Sequence, residues 1–207
     1  MSGYRDRAHA GDVLAEALTA YQDREDATVL GLVRGGVPVA ARVAQALHLP
    51  LDVLVVRKLG VPWAPEVAFG ALGAGGVRVL NEDVAARLDE RDIAEVVAAE
   101  QAELERRGQR YRAGKDPLRL TGRTAILVDD GLATGATAYA AVAVARGLGA
   151  ARVVMAVPVG APEAVERLTE VADEVVCPLV PANFGAVSRF YQHFGQVSSP
   201  EVVALLG

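Results

Sequence analysis

The chain has 207 residues, 52% of them apolar, and a net charge of −5, enough for one well-buried domain with a small appendage. No dense Lys/Arg block is present, which argues against a nucleic-acid or anionic-membrane partner. Cys177 is the only cysteine, so an intrachain disulfide is excluded, and His9, His48 and His193 lie too far apart for a zinc pattern.

Residues 10–21 have helical spacing, with Val13, Leu14, Ala17 and Leu18 on one face. Residues 28–33 (TVLGLV) read as a buried strand running into Arg34-Gly35-Gly36, and 37–47 as a helix with Pro38 in its first turn. Residues 51–56 form a second buried strand. The Gly- and Pro-rich stretch 57–76 reads as a mobile loop followed by a short antiparallel hairpin. Residues 82–113 predict a short helix and then a long one. Strands at 123–130, 151–159 and 174–179 alternate with helices over 133–149 and 161–170.

Apolar strands alternating with helices imply a parallel sheet covered on both faces. No repeat or linker divides the chain, so we expect one domain, 1–207. Its core spans about 25–179, and a small C-terminal hood covers about 180–207 with a contribution from the N-terminus. No signal-peptide core is visible, and no apolar run approaches the roughly 18 residues of a membrane span. The expected location is the cytoplasm, without a membrane partner.

The most informative segment is ILVDDGLATGAT, 126–137, where a strand ends in Asp129 and Asp130. In open α/β sheets, ligands bind beyond the carboxyl ends of the strands. A helix N-terminus there presents free backbone N–H groups. Ala133, Thr134, Gly135, Ala136 and Thr137 add hydroxyls and a close backbone approach, which suits phosphate. Two carboxylates can accept from sugar hydroxyls or face a hydrated Mg²⁺. Helix capping by Asp130 and Thr134 is the plainer alternative, but capping alone does not require two acids and a glycine-threonine cradle together.

This segment resembles the 5-phosphoribosyl 1-pyrophosphate (PRPP) motif of the type I phosphoribosyltransferases. The resemblance implies a transferase (a pentosyltransferase of nucleotide metabolism) that moves the phosphoribosyl group of PRPP to a small-molecule acceptor of nucleobase type with Mg²⁺. Asp129 and Asp130 would hold the ribose hydroxyls and, through them or water, the metal. Residues 133–137 would hold the 5-phosphate. In hypoxanthine-guanine members a third acid precedes the Thr-Gly; here that position is Ala133, closer to the adenine and orotate types.

The family places a pyrophosphate loop after its first core strand, where this chain has Arg34, Gly35 and Gly36. That match implies a cis peptide at Val33–Arg34. Arg57 and Lys58 resemble the start of the family's flexible loop, with Lys58 and Arg34 as catalytic contacts to pyrophosphate and Glu66 further along the loop. In the hood, Phe184, Phe190, Tyr191, His193 and Phe194 could stack on a base, but packing of the tail onto the core is the preferred reading. The helix near 90–113 is unusual for the family. It could cover the site, form an interface in a homo-oligomer, or be a solvated face. Two alternatives remain at this point: a PRPP-sensing regulator, and a Mg²⁺-dependent phosphohydrolase, although Gly131 breaks the D-x-D spacing of the latter.

Overall fold

The computed structural model describes residues 3–207. α1 (Arg7–Ala17) begins at Asp6, whose carboxylate accepts the His9 amide at 2.8 Å. β1 (Ala27–Leu32) leads into α2 (Gly36–Leu47), and β2 (Leu51–Leu54) follows. Then come β3 (Val56–Val61), β4 (Ala64–Gly73) and β5 (Arg78–Leu80), followed by α3 (Glu82–Ala85) and α4 (Glu90–Tyr111). β6 (Thr124–Val128), α5 (Ala136–Gly147), β7 (Arg152–Ala156), α6 (Pro162–Leu168), β8 (Glu174–Val176) and α7 (Ser199–Leu206) complete the chain.

The main sheet has five parallel strands in the order β2-β1-β6-β7-β8. Its strands are apolar throughout because both faces are covered. Successive residues alternate between two cores. Leu30, Leu127 and Met155 pack against α5 and α6, whereas Val29, Ile126 and Val154 pack against α1 and α2. The fold is therefore α/β, a parallel sheet flanked by helices, as the pattern of apolar runs implies.

Residues 57–76 differ from expectation. Instead of a loop ahead of a hairpin, β3 and β4 are already paired antiparallel, with Pro62 and Trp63 between them, and β5 adds a third strand. The reason is burial: Leu59, Val61, Phe69 and Leu72 share a core with Leu104 and Tyr111 of α4. Glycine and proline in this stretch mark a bulge and a turn, not a missing strand. The register shifts on both sides of Gly60, where a Cβ would lie 2.8 Å from the Pro65 carbonyl.

α4 has 22 residues, roughly 33 Å of helix. Its outer face carries pairs such as Arg91–Glu95 at 2.9 Å. At its C-terminal end Arg112 holds Asp52 through two bonds of 3.0 and 2.8 Å. The hood is built from both ends of the described chain. Tyr4 donates its amide to Phe190 and accepts from Gln192, so the N-terminal segment bridges to Tyr191. Phe184, Tyr191 and Tyr4 are buried together, so these rings mainly pack the tail onto the core.

The hood also contains α7, a helix that the sequence reading does not mark. It starts with a capping box in which Ser198 and Glu201 exchange side-chain and backbone bonds. Among the described residues, no helix is long and apolar enough to cross a membrane.

Candidate functional site

β1 and β6 are parallel neighbours with Gly31 opposite Val128, so the turns that follow them lie side by side. The Val33–Arg34 peptide is cis, at the position named by the family resemblance. Gly35 and Gly36 then press onto the end of β6. A Cβ on Gly35 would lie 2.2 Å from Asp130 Oδ2, and one on Gly36 would lie 2.3 Å from the Val128 carbonyl. Only glycine permits this contact between the basic turn and the acidic strand end.

After the acidic pair, Gly135 takes a left-handed conformation (φ 79°) and starts α5, which directs the first amides of the helix outward. Ala133, Thr134 and Thr137 are exposed on this turn. Thr134 Oγ1 accepts weakly from the Ala136 amide at 3.4 Å.

The two carboxylates differ in their partners. Asp129 Oδ1 accepts the Asp130 amide at 2.9 Å. Asp130 Oδ2 is held by Arg7 through Nε and Nη2, each at 2.8 Å. Tyr191 donates its hydroxyl to the Asp130 carbonyl at 2.6 Å. Burial pushes the Asp129 carboxyl well up, and the neighbouring Asp130 charge adds to the rise. Burial also raises Asp130, although Arg7 opposes it. An ion pair normally lowers a carboxyl; here desolvation outweighs it. Burial, with the Asp130 charge second, raises the Tyr191 phenol, so it remains a donor.

A cavity of about 930 Å³ collects Arg34, Gly35, Asp129, Asp130 and Thr137. Lys58, Arg57 and Glu66 line an adjacent cavity of about 470 Å³, and Val33, Arg107 and Thr137 border both. Thr134 and Ala136 face a third cavity, of about 550 Å³, again with Lys58 and Glu66. The sequence-predicted residues thus surround one region but do not share one pocket. Arg57 is tied to Glu100 of α4. Lys58 stands 3.9 Å from Glu66, whose side chain is 93% exposed.

Several contributors escaped sequence reasoning. Arg7 comes from the first turn of α1, lies 3.9 Å over the Phe194 ring and donates to the Gly195 carbonyl at 2.7 Å. Arg106, Arg107 and Arg110 bring the C-terminal half of α4 to the larger cavity. That half of α4 covers the site. No local pattern marks these residues, because tertiary packing alone brings them there.

The strand-end acid pair thus lies beside a helix N-terminus and against a basic glycine turn. The chain belongs to the phosphoribosyl transferase domain family, whose model matches residues 6–192. It is 53% identical to a Mycobacterium tuberculosis protein, Rv0571c, named only provisionally as a phosphoribosyl transferase; the match covers 100% of this chain and 47% of the relative. The chain therefore spans about half the length of that relative. Among solved structures, TT1426 from Thermus thermophilus is similar at 47% identity and a TM-score of 0.92, covering 100% of this chain and 98% of that one.

Proposed function

We propose that the chain transfers the 5-phosphoribosyl group of PRPP to an acceptor of nucleobase type and releases pyrophosphate, as a cytoplasmic enzyme of nucleotide metabolism. The observation that carries this reading is the junction of β6 and α5, with Asp129, Asp130 and Thr137 on one cavity wall and the first turn of α5 starting at Ala136. In this reading the turn from Ala133 to Thr137 cradles the 5-phosphate. Asp129 and Asp130 accept from the ribose hydroxyls. Arg7 occupies Oδ2 of Asp130, which leaves Oδ1 for the sugar.

Departure of pyrophosphate from ribose C1 builds positive charge on the ring and negative charge on the leaving group. The chain separates these charges spatially. The acid pair faces the ring, while Arg34, the amides near Gly35 and Gly36, and Lys58 with Arg57 face the pyrophosphate. The fixed cavity aligns acceptor and C1.

No cluster of three or more metal-ligating side chains occurs among the described residues. Two carboxylates beside a polyphosphate still suit Mg²⁺, which keeps water and takes substrate oxygens as ligands. Asp129 and Asp130 would hold it through the ribose hydroxyls or water. When bound with PRPP, the metal supplies charge neutralisation on the leaving group.

Calorimetry with PRPP and Mg²⁺, followed by pyrophosphate release across a panel of bases, tests the proposal. The double variant Asp129→Asn, Asp130→Asn is expected to keep its fold and lose PRPP binding. Unchanged PRPP affinity in that variant would refute the assignment.

A further inference from the structure

The larger cavity has a basic wall that the proposed PRPP contacts leave partly unused. Arg106 and Arg107 are both held by Glu103, at 2.7 and 2.6 Å. Arg7 is held by Asp130. Arg34 faces the pyrophosphate in the reading above. Arg110 is different: among the described residues it forms no ion pair, and its one hydrogen bond is a long 3.4 Å contact from Nη1 to Ser199 Oγ.

Position separates Arg110 from the pyrophosphate side. Arg107 borders both cavities and so reaches toward Lys58. Arg110 lies one helical turn further on and borders only the larger one. There it stands with Tyr111, whose hydroxyl is 2.9 Å from Ser199 Oγ. Phe194 and Gln196 of the hood line the same cavity. An aromatic ring in that wall suits a flat acceptor, and a guanidinium beside two hydroxyls suits an anionic group on it. One cation with the single hydroxyl proton that the Tyr111–Ser199 bond leaves free matches a singly charged carboxylate better than a phosphate dianion.

We infer that the acceptor carries a carboxylate, and that Arg110, with the hydroxyls of Tyr111 and Ser199, recognises it. This inference rests on the PRPP reading of the same site. It makes the acceptor a heteroaromatic acid, and it gives the C-terminal half of α4 a role in specificity. Arg110 is exposed, so its replacement leaves the core undisturbed.

The test uses matched probes that differ by the carboxylate: orotate against uracil, and nicotinate against nicotinamide, with pyridine-3-phosphonate as the phosphate-like control. Binding to the PRPP- and Mg²⁺-loaded chain is followed by ligand-observed NMR, and PRPP affinity by calorimetry on the same samples. The acids are expected to bind about tenfold tighter than their partners, the worth of one charge-assisted hydrogen bond. Arg110→Gln should erase that preference while PRPP affinity stays at the wild-type value. Three results overturn the inference: no preference for the acids, including no binding by either member of a pair; preference for the phosphonate; or a parallel loss of PRPP affinity in Arg110→Gln, which would assign the arginine to pyrophosphate. Absence of PRPP binding in the wild-type chain is a separate result. It removes the transferase reading itself, and the inference with it.

Discussion

Arg7 and Asp130, 123 positions apart in the chain, meet in a two-point contact of 2.8 Å that joins the first helix to the acidic end of β6. The pair is mostly enclosed, with side-chain exposures of 12% and 15%. Removing one partner strands the other charge in a poorly solvated place. Arg7→Gln is expected to cost about 3 kcal/mol of unfolding free energy. Asp130→Asn added to it should cost little more, because the stranded charge has gone. Urea unfolding of both single variants and the double variant measures this coupling; additive losses would show that the two residues act independently.

Asp129 gives a dependence on pH. Its folded pKa lies well above its ordinary value of 3.8 because burial disfavours the charged form. Folding therefore favours the protonated carboxyl. Its stabilising contribution is present below the unfolded value and is lost as pH rises through the folded one. Asp129→Asn, neutral at every pH, avoids that loss. Its stability relative to wild type should increase as pH rises above about 4, while its PRPP affinity falls. Thermal unfolding across that range tests the sign, and a gap that narrows with rising pH would contradict it.

Two glycines should respond oppositely to alanine. At Gly35 a Cβ would lie 2.2 Å from Asp130 Oδ2, so Gly35→Ala must push the basic turn off the acidic strand end. A cost of about 1–3 kcal/mol is expected, together with at least tenfold weaker PRPP binding, roughly one lost charge-assisted contact. Gly108 lies inside α4 with nothing within 4 Å of its Cβ position. There alanine should stabilise by about 1 kcal/mol. Denaturant midpoints for the two variants decide both signs.

Trp63 is the only tryptophan, sits between β3 and β4 and is 67% exposed. It reports directly on the strand pair that carries Lys58. If that pair closes over PRPP to exclude water, Trp63 emission should shift to the blue on adding PRPP with Mg²⁺. The shift should fail to appear with pyrophosphate-free ribose 5-phosphate. A response of equal size to both compounds would separate the signal from closure on the leaving group.

How much of this was legible depends on whether the signal was local. The parallel strands were readable because burial on both faces leaves uninterrupted runs such as Ala125 to Val128. The acid pair and its glycine turn were readable because the atoms that converge there are contiguous in sequence. The stretch around Gly60, Pro62 and Pro65 misled because turn residues outweighed Leu59, Val61 and Phe69, whose burial depends on α4. Ser198 and Glu201 did carry a local start signal for α7, but it lay in a tail already assigned to the hood. Arg7 and Arg110 had no comparable signal. Each is ordinary in its own helix or segment and gains meaning only from what packs beside it.

The bridge between Tyr4 and Tyr191 bears on how the protein is made. A chain emerging from the ribosome presents β1, β6 and the acidic turn first, and Asp130 gains its Tyr191 contact only 61 positions later. Until then Tyr4 lacks Phe190, Arg7 lacks Phe194 and Gly195, and Asp130 lacks the Tyr191 hydroxyl. Completion of the pocket thus waits on the synthesis of the segment around Tyr191 and Phe194.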